Sequence, residues 1–114
     1  MSKECIFCKI IAGGIPATFV HRDDDLVAIQ DVNPQAPTHL LLIPREHIPR
    51  VLDLSADNAG ILARIFQTAN RIARERKLEN GFRLVVNNGP EAGQTVYHLH
   101  VHLLGGRAMQ WPPG

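Results

Sequence analysis

Aromatic side chains are scarce in this chain of 114 residues: one tryptophan, one tyrosine and four phenylalanines. Charge of neither sign is in excess, because 12 lysines and arginines face 11 carboxylates, for a formal net charge of +1. A nucleic-acid or acidic-membrane partner leaves a basic footprint, and none is present. Hydrophobic runs are short, far from the roughly 20 apolar residues that a membrane helix needs. The opening "MSKECIFCKI" also lacks the long apolar region of a secretory signal. Cysteine is limited to Cys5 and Cys8, which suit a reducing compartment as thiols or metal ligands better than as a disulfide. These absences point to a soluble cytoplasmic protein. They say nothing against catalysis.

Repeats, low-complexity segments and linkers are missing too, so residues 1–114 read as one domain. A hydrophobic content of 45% supports a modest core. So small a domain buries only about two-thirds of its unfolded surface, and a dimer partner or a bound metal would help it. "CIFCKIIAGGIPA" has Ile6, Phe7, Ile10 and Ile11 at near-helical spacing, stopped by Gly13, Gly14 and Pro16. Thr18–His21 and Leu26–Val32 are β-prone runs around an Asp23–Asp25 turn, which predicts a hairpin. Thr38–Ile43 is apolar on both faces and reads as a covered strand that ends at Pro44.

The clearest helix is predicted over 55–77. Ile61, Leu62, Ile65, Phe66, Ala69, Ile72 and Ala73 recur at three- and four-residue steps and form one stripe. Ser55 suits the N-cap and Asp57 the first turn. Arg71, Arg74, Arg76 and Lys77 load the C-terminal end, where positive charge meets the helix dipole. With no aromatic residues interleaved, that cluster is a solvated helix end rather than an RNA patch. Asn80-Gly81 then turns the chain into a strand over Phe82–Asn87. The sum is an α+β domain with a mainly antiparallel sheet.

The chemistry is concentrated in "YHLHVHLLGGR", residues 97–107. In a strand, side chains alternate between faces, so His98, His100 and His102 share one side. Leu99, Val101 and Leu103 turn to the other side, toward the core. Three of the chain's six histidines fall within five residues, too dense for a solvated face that happens to use histidine. Two readings remain at this point: a metal site on a strand, or a catalytic strand in which one neutral imidazole attacks. An unperturbed pKa near 6.5 keeps both imidazole forms accessible near neutrality.

Upstream, "NNGPEAGQT" places Asn87, Asn88, Gly89, Gly93, Gln94 and Thr95 before the histidines. Glycine lets backbone N–H groups approach an anion, and Gln94 and Thr95 add side-chain donors. Alone it is a hairpin loop; beside a histidine face it becomes a phosphate cradle for phosphoryl transfer. The Cys5-x-x-Cys8 pair fits a redox couple, half of a zinc site or two buried thiols. No βαβ pattern surrounds it, which disfavours a thioredoxin-like role.

"HLHVHLL" matches the pattern His-φ-His-φ-His-φ-φ, with φ apolar, and resembles the histidine triad (HIT) superfamily of nucleotide hydrolases and transferases. The resemblance extends through "DVNPQAPTHLLLIPREHI", "GFRLVVNNG", "GQTVYHLHVHLLGGR" and the terminal "WPPG". It covers the chain from residue 5 onward and is nearest to the histidine triad nucleotide-binding proteins, the purine nucleoside phosphoramidases. It implies a five-stranded sheet with one long helix and a short N-terminal helix. It also implies a purine nucleotide ligand, AMP or GMP, and a homodimer.

Residue by residue, the resemblance makes His100 the nucleophile that attacks the α-phosphorus of a nucleoside phosphoramidate, leaving a nucleotidyl-histidine for water to release. His102 matches a position near the phosphate and leaving group, and His39 a histidine that helps orient the nucleophile. Gly93, Gln94 and Thr95 match the phosphate loop; many relatives carry serine where this chain has Thr95. Asp31 matches the carboxylate that receives the ribose hydroxyls. Ile29 and Val32 would line the base pocket, and Asn87 would sit near the sugar-phosphate. Trp111, in the tail 107–114, would approach the partner's site. Some bacterial members complete a structural Zn2+ site in the manner that Cys5, Cys8, His47 and His98 match here. That assignment leaves the backbone of His98, not its ring, to serve the nucleophile. Hydrolysis of dinucleoside polyphosphates and non-catalytic nucleotide binding are the alternative functions.

Overall fold

The computed structural model describes residues 4–114. In chain order the elements are α1 (Ile6–Ile11), β1 (Phe19–Arg22), β2 (Leu26–Gln30), β3 (Thr38–Pro44), α2 (Ile61–Glu75), β4 (Phe82–Val85) and β5 (Val101–Gly105). The strands form one five-stranded sheet in the order β1-β2-β3-β5-β4, with antiparallel pairing between all neighbours. β1 and β2 are the hairpin expected around the aspartate cluster. The Asp23 carboxylate closes its turn by accepting from the Asp25 and Leu26 backbone N–H groups, at 2.7 and 2.9 Å.

The alternation of β3 explains how the sheet is covered. Leu40 and Leu42 turn to α2, where they pack with Leu26, Ala28, Ile65, Ala69, Ile72, Val101 and Leu103. Leu41 and Ile43 turn the other way and meet Phe7, Cys8, Ile10, Val27 and Ile29. All seven residues of β3 are buried, as a strand with two covered faces requires. α1 is therefore part of a second core, on the face opposite α2.

Several boundaries differ from the sequence expectation: β2 ends at Gln30 rather than Val32, and β4 at Val85 rather than Asn87. α2 begins at Ile61 with Gly60 at its N-cap position, whereas the helix was expected over 55–77 with Ser55 as cap. Ser55 instead organises a tight turn: its Oγ accepts from Asp57 N at 3.3 Å and its carbonyl from Ala59 N at 2.9 Å. Ser and Asp compete with the helix by bonding nearby backbone, and here the turn wins. Phe66, expected in the buried stripe, is 40% exposed on its flank. The histidine strand is also shorter than expected. Its ladder starts at Val101, because Leu99 N donates to the Ile48 carbonyl at 2.6 Å, in a loop rather than in a neighbouring strand.

The face assignment survives that shortening. Leu99, Val101 and Leu103 are at most 1% exposed, so the histidines between them are directed to the α1 side. Gly105 ends β5 where a Cβ would lie 2.7 Å from Leu78 Cδ1; only glycine fits there without moving the leucine that follows α2. No described helix is long and apolar enough to cross a membrane.

Ile65 is fully buried between α2 and the sheet. Ile65→Ala is expected to lower stability by about 2–5 kcal/mol, read as a reduced urea midpoint. A loss below about 0.5 kcal/mol, the range of ordinary surface changes, would show that α2 is not packed as described.

Candidate active site and metal centre

Backbone partners settle which nitrogen of each key imidazole carries the proton, because a carbonyl only accepts and an amide N–H only donates. His100 Nδ1 lies 2.7 Å from the His98 carbonyl oxygen. Nδ1–H therefore donates, and the lone pair of the neutral ring is on Nε2. Burial pushes the His100 pKa below its ordinary value, only partly opposed by the bond to His98 and the charge of Asp31. The result is a neutral imidazole with one free basic nitrogen.

His39 follows the opposite logic. Its Nδ1 accepts from Gln35 N at 3.0 Å, so its proton is on Nε2. That nitrogen is 3.0 Å from His102 Nδ1 and 3.4 Å from Asp31 Oδ2. His39 thus donates toward His102, whose own proton is driven to Nε2. Burial, then the neighbouring His100 and His39, depress His102 to a pKa of about 4, against the pull of Asp31. Asp31 sits at the end of β2 and is tied back by its own N–H to the His39 carbonyl at 3.0 Å. The His100 and His102 rings meet at a centroid distance of 5.0 Å. His39 meets His102, and His102 in turn meets His100.

His98 is fully buried and belongs to a different cluster. Its Nε2–H donates to the Pro44 carbonyl at 2.7 Å. The Nδ1 lone pair is left facing Cys5 Sγ at 3.3 Å and Cys8 Sγ at 3.6 Å. His47 Nδ1 stands 3.3 Å from Cys8 Sγ. One donor atom from each of Cys5, Cys8, His47 and His98 lies within 4.8 Å of the others. Zn–S bonds near 2.3 Å and Zn–N bonds near 2.0–2.1 Å at a tetrahedral angle put N and S about 3.6 Å apart. The cluster fits zinc in donor set and spacing. The Pro44 carbonyl is the outer partner that fixes a ligand histidine's tautomer.

The remaining expected residues are placed less uniformly. Gln94 is 6% exposed and its amide is fully engaged. Its Oε1 accepts from Gly89 N at 2.8 Å, and Nε2 donates to the Pro49 and Val96 carbonyls at 2.8 and 3.1 Å. Its side chain braces the loop and has no donor left for phosphate. Gly93 sits in the left-handed region at φ 88°. Thr95 is exposed and Asn87 half-buried. Ile29 is packed in the core and Val32 is fully exposed. Trp111 is 82% exposed, and Arg83 holds the adjacent Gln110 carbonyl at 2.9 Å.

Three participants were not visible in the sequence. The Gln35 N–H and the Pro44 carbonyl set tautomers through backbone, which residue type does not announce. Phe7 meets the rings of both His98 and His100; its position between two cysteines was the available signal.

Comparison with known proteins now decides the family: residues 12–109 match the HIT domain. The chain belongs to the HIT family. This HIT protein is 46% identical to the 14 kDa zinc-binding protein of Brassica juncea, covering 97% of this chain and 100% of that one. It is 47% identical to the adenylylsulfatase HINT1 of Arabidopsis thaliana, covering 96% of this chain and 76% of the relative. A crystal structure of a HIT family hydrolase from Legionella pneumophila superposes with a TM-score of 0.95 at 51% identity, covering 97% of this chain and all of that one.

Acidity should test the neutral histidines. His98, through burial first, also has a pKa lowered to about 4. An unfolded chain titrates both it and His102 near 6.5. Between those values the unfolded state holds more protons, so stability rises with pH across that window. Asp23 acts elsewhere: burial works to raise its pKa, but His21 and the backbone amides of Leu26 and Asp25 hold it below the ordinary carboxylate value. For metal-free protein, the urea midpoint is expected to fall as pH drops from about 6.5 to about 4, and less steeply in His102→Asn. A midpoint independent of pH there would contradict the assignment.

Proposed function

We propose that this chain is a nucleotide hydrolase that cleaves purine nucleoside 5′-phosphoramidates through a nucleotidyl-His100 intermediate. The observation that carries the reading is the 2.7 Å bond from His100 Nδ1–H to the His98 carbonyl. It leaves Nε2 unprotonated and available to attack phosphorus. Attack expels the amine; water then cleaves the phosphorus–nitrogen bond and releases AMP or GMP. Splitting one difficult displacement into two is the advantage of a covalent intermediate.

The surrounding groups receive roles from their chemistry. His102 offers Nε2–H to a phosphoryl oxygen or the departing nitrogen. His39 positions His102 by donating to its Nδ1, and Asp31 keeps carboxylate capacity for ribose hydroxyls. Thr95 and the backbone of Gly93 are assigned to the phosphate, with Gln94 bracing their loop. Asn87 is assigned to the sugar-phosphate, and exposed Val32, with Ile29 beneath the surface, to the purine base. The relative named adenylylsulfatase favours a second substrate, adenylyl sulfate, which would enter the same first step with sulfate as leaving group.

Zn2+ at Cys5, Cys8, His47 and His98 is assigned a structural role. Four protein donors leave a tetrahedral ion no open position for substrate. When bound, the ion cross-links α1, the loop after β3 and the segment before β5. The expected homodimer rests on β4, whose outer edge lies at the end of the sheet. An unpaired edge is a template for another chain, and the nearby tail would carry Trp111 toward the partner.

Three measurements test these assignments. Mixing the protein with adenosine 5′-phosphoramidate and quenching without acid should give a mass gain of one adenylyl group on His100. His100→Ala should lose turnover by about a thousandfold or more while still binding AMP. Normal turnover by His100→Ala would refute the covalent route. Sedimentation equilibrium should return twice the mass of the 12.6 kDa chain; a monomer at all concentrations would remove the tail from the partner's site.

A further inference from the structure

We propose that Phe7 is a positioning residue for His100, through which the metal centre sets the orientation of the attacking ring. The inference rests on His100 being the nucleophile. Its geometry is independent of that role.

One hydrogen bond does not hold an imidazole. The bond from Nδ1–H to the His98 carbonyl fixes one nitrogen and leaves the ring plane free to swing. The plane is set by its flanks. Phe7 stands on one side at a centroid distance of 5.0 Å and 84°, and His102 on another at 5.0 Å and 60°. The same phenyl ring meets His98 at 5.9 Å and 71°. A single side chain therefore touches a metal-ligand ring and the nucleophile ring, edge to face, the arrangement that aromatic quadrupoles prefer. Phe7 is 6% exposed and packed among Ile10, Leu41 and Ile43 in the α1 core.

What fixes Phe7 is α1, and α1 spans only six residues. That is well below the roughly 12–15 residues at which a helix begins to hold itself in water. Its N-cap is Cys5, whose Sγ accepts from Cys8 N at 3.3 Å. Both sulfurs are also donors in the metal cluster. The two thiols bracket Phe7 in sequence, so an ion that clamps them clamps the turn of backbone carrying the phenyl ring. A second route through the His98 backbone is less sensitive to loading. The Pro44 carbonyl holds that ring with or without an ion. Metal removal should therefore loosen His100 rather than abolish the site.

The experiment compares wild type loaded with Co2+, wild type stripped by chelator, Phe7→Leu and Phe7→Met. Each is measured at one fixed pH for kcat and KM with adenosine 5′-phosphoramidate, for thiolate-to-cobalt absorption, and for long-range 15N–1H spectra of the His100 ring. The two Phe7 variants should keep one Co2+ per chain with an unchanged absorption band. Their kcat should fall about tenfold, a misplacement effect, with KM within about twofold. Their His100 ring, and that of stripped wild type, should keep Nδ1–H but show exchange-broadened ring signals, the sign of a plane that swings about that bond. Sharp ring signals and full kcat in both variants would overturn the proposal, as would stripped wild type that keeps both. A raised KM with unchanged kcat would instead make Phe7 a substrate contact, and the proposal would fail. Turnover by His100→Ala would remove the nucleophile assignment while the ring spectra still report on Phe7.

Discussion

The peptide carbonyl of His98 has no proton to give, and the chemistry of this site depends on that fact. Because the oxygen can only accept, the His100 ring must present Nδ1–H to it. The basic lone pair is then on Nε2 without help from a charged partner. A side-chain acceptor could rotate away or titrate. A backbone carbonyl two residues upstream does neither while the segment stays in place. The Gln35 N–H imposes the converse choice on His39, and through it on His102. Two backbone groups of opposite polarity thus define three imidazoles.

Keeping the His98 carbonyl in place is the task of the fold. Its ring is anchored between the Pro44 carbonyl and the two thiols. Leu99 is buried on the opposite side and bonded to Ile48 through its backbone. The segment lies ahead of the β5 ladder, so ordinary strand pairing does not secure it. A loop outside the ladder needs substitutes, and the Cys5, Cys8, His47, His98 cluster is one. It joins α1 to two segments that the sheet alone leaves loosely connected. In a chain of this size the core is divided between two sheet faces, and a bound ion would add more there than in a larger domain.

Much of the architecture was legible because it is periodic. The two-residue period of 98–103 and the stripe of Ile65, Ala69 and Ile72 assigned faces correctly. The hairpin followed from its aspartate turn. Starts and ends were less legible. Ser55 looks like a helix cap, yet its hydroxyl and carbonyl serve a local turn. Which outcome wins depends on tertiary packing from Ile61 onward. At the site, residue identities pointed to histidine chemistry and to a Cys-His cluster, but their division of labour rests on backbone partners. Gln94 shows the limit: the type suggests a phosphate donor, while the loop consumes its whole amide.

The interleaving of histidine with leucine and valine has a further consequence for how such a site can change. Leu99, Val101 and Leu103 are buried on one side, with the last two in the core beneath α2, and the histidines alternate with them. A slip of one residue would exchange the two sets and drive imidazoles into hydrocarbon. The hydrophobic effect that fixes the core therefore also fixes the order of His98, His100 and His102 on the opposite face. Each is two residues from the next and cannot be moved singly by insertion. Substitution at the loop, at Thr95 or in the tail leaves that register untouched. The core therefore enforces the spacing of the three histidines whatever the loop and tail carry.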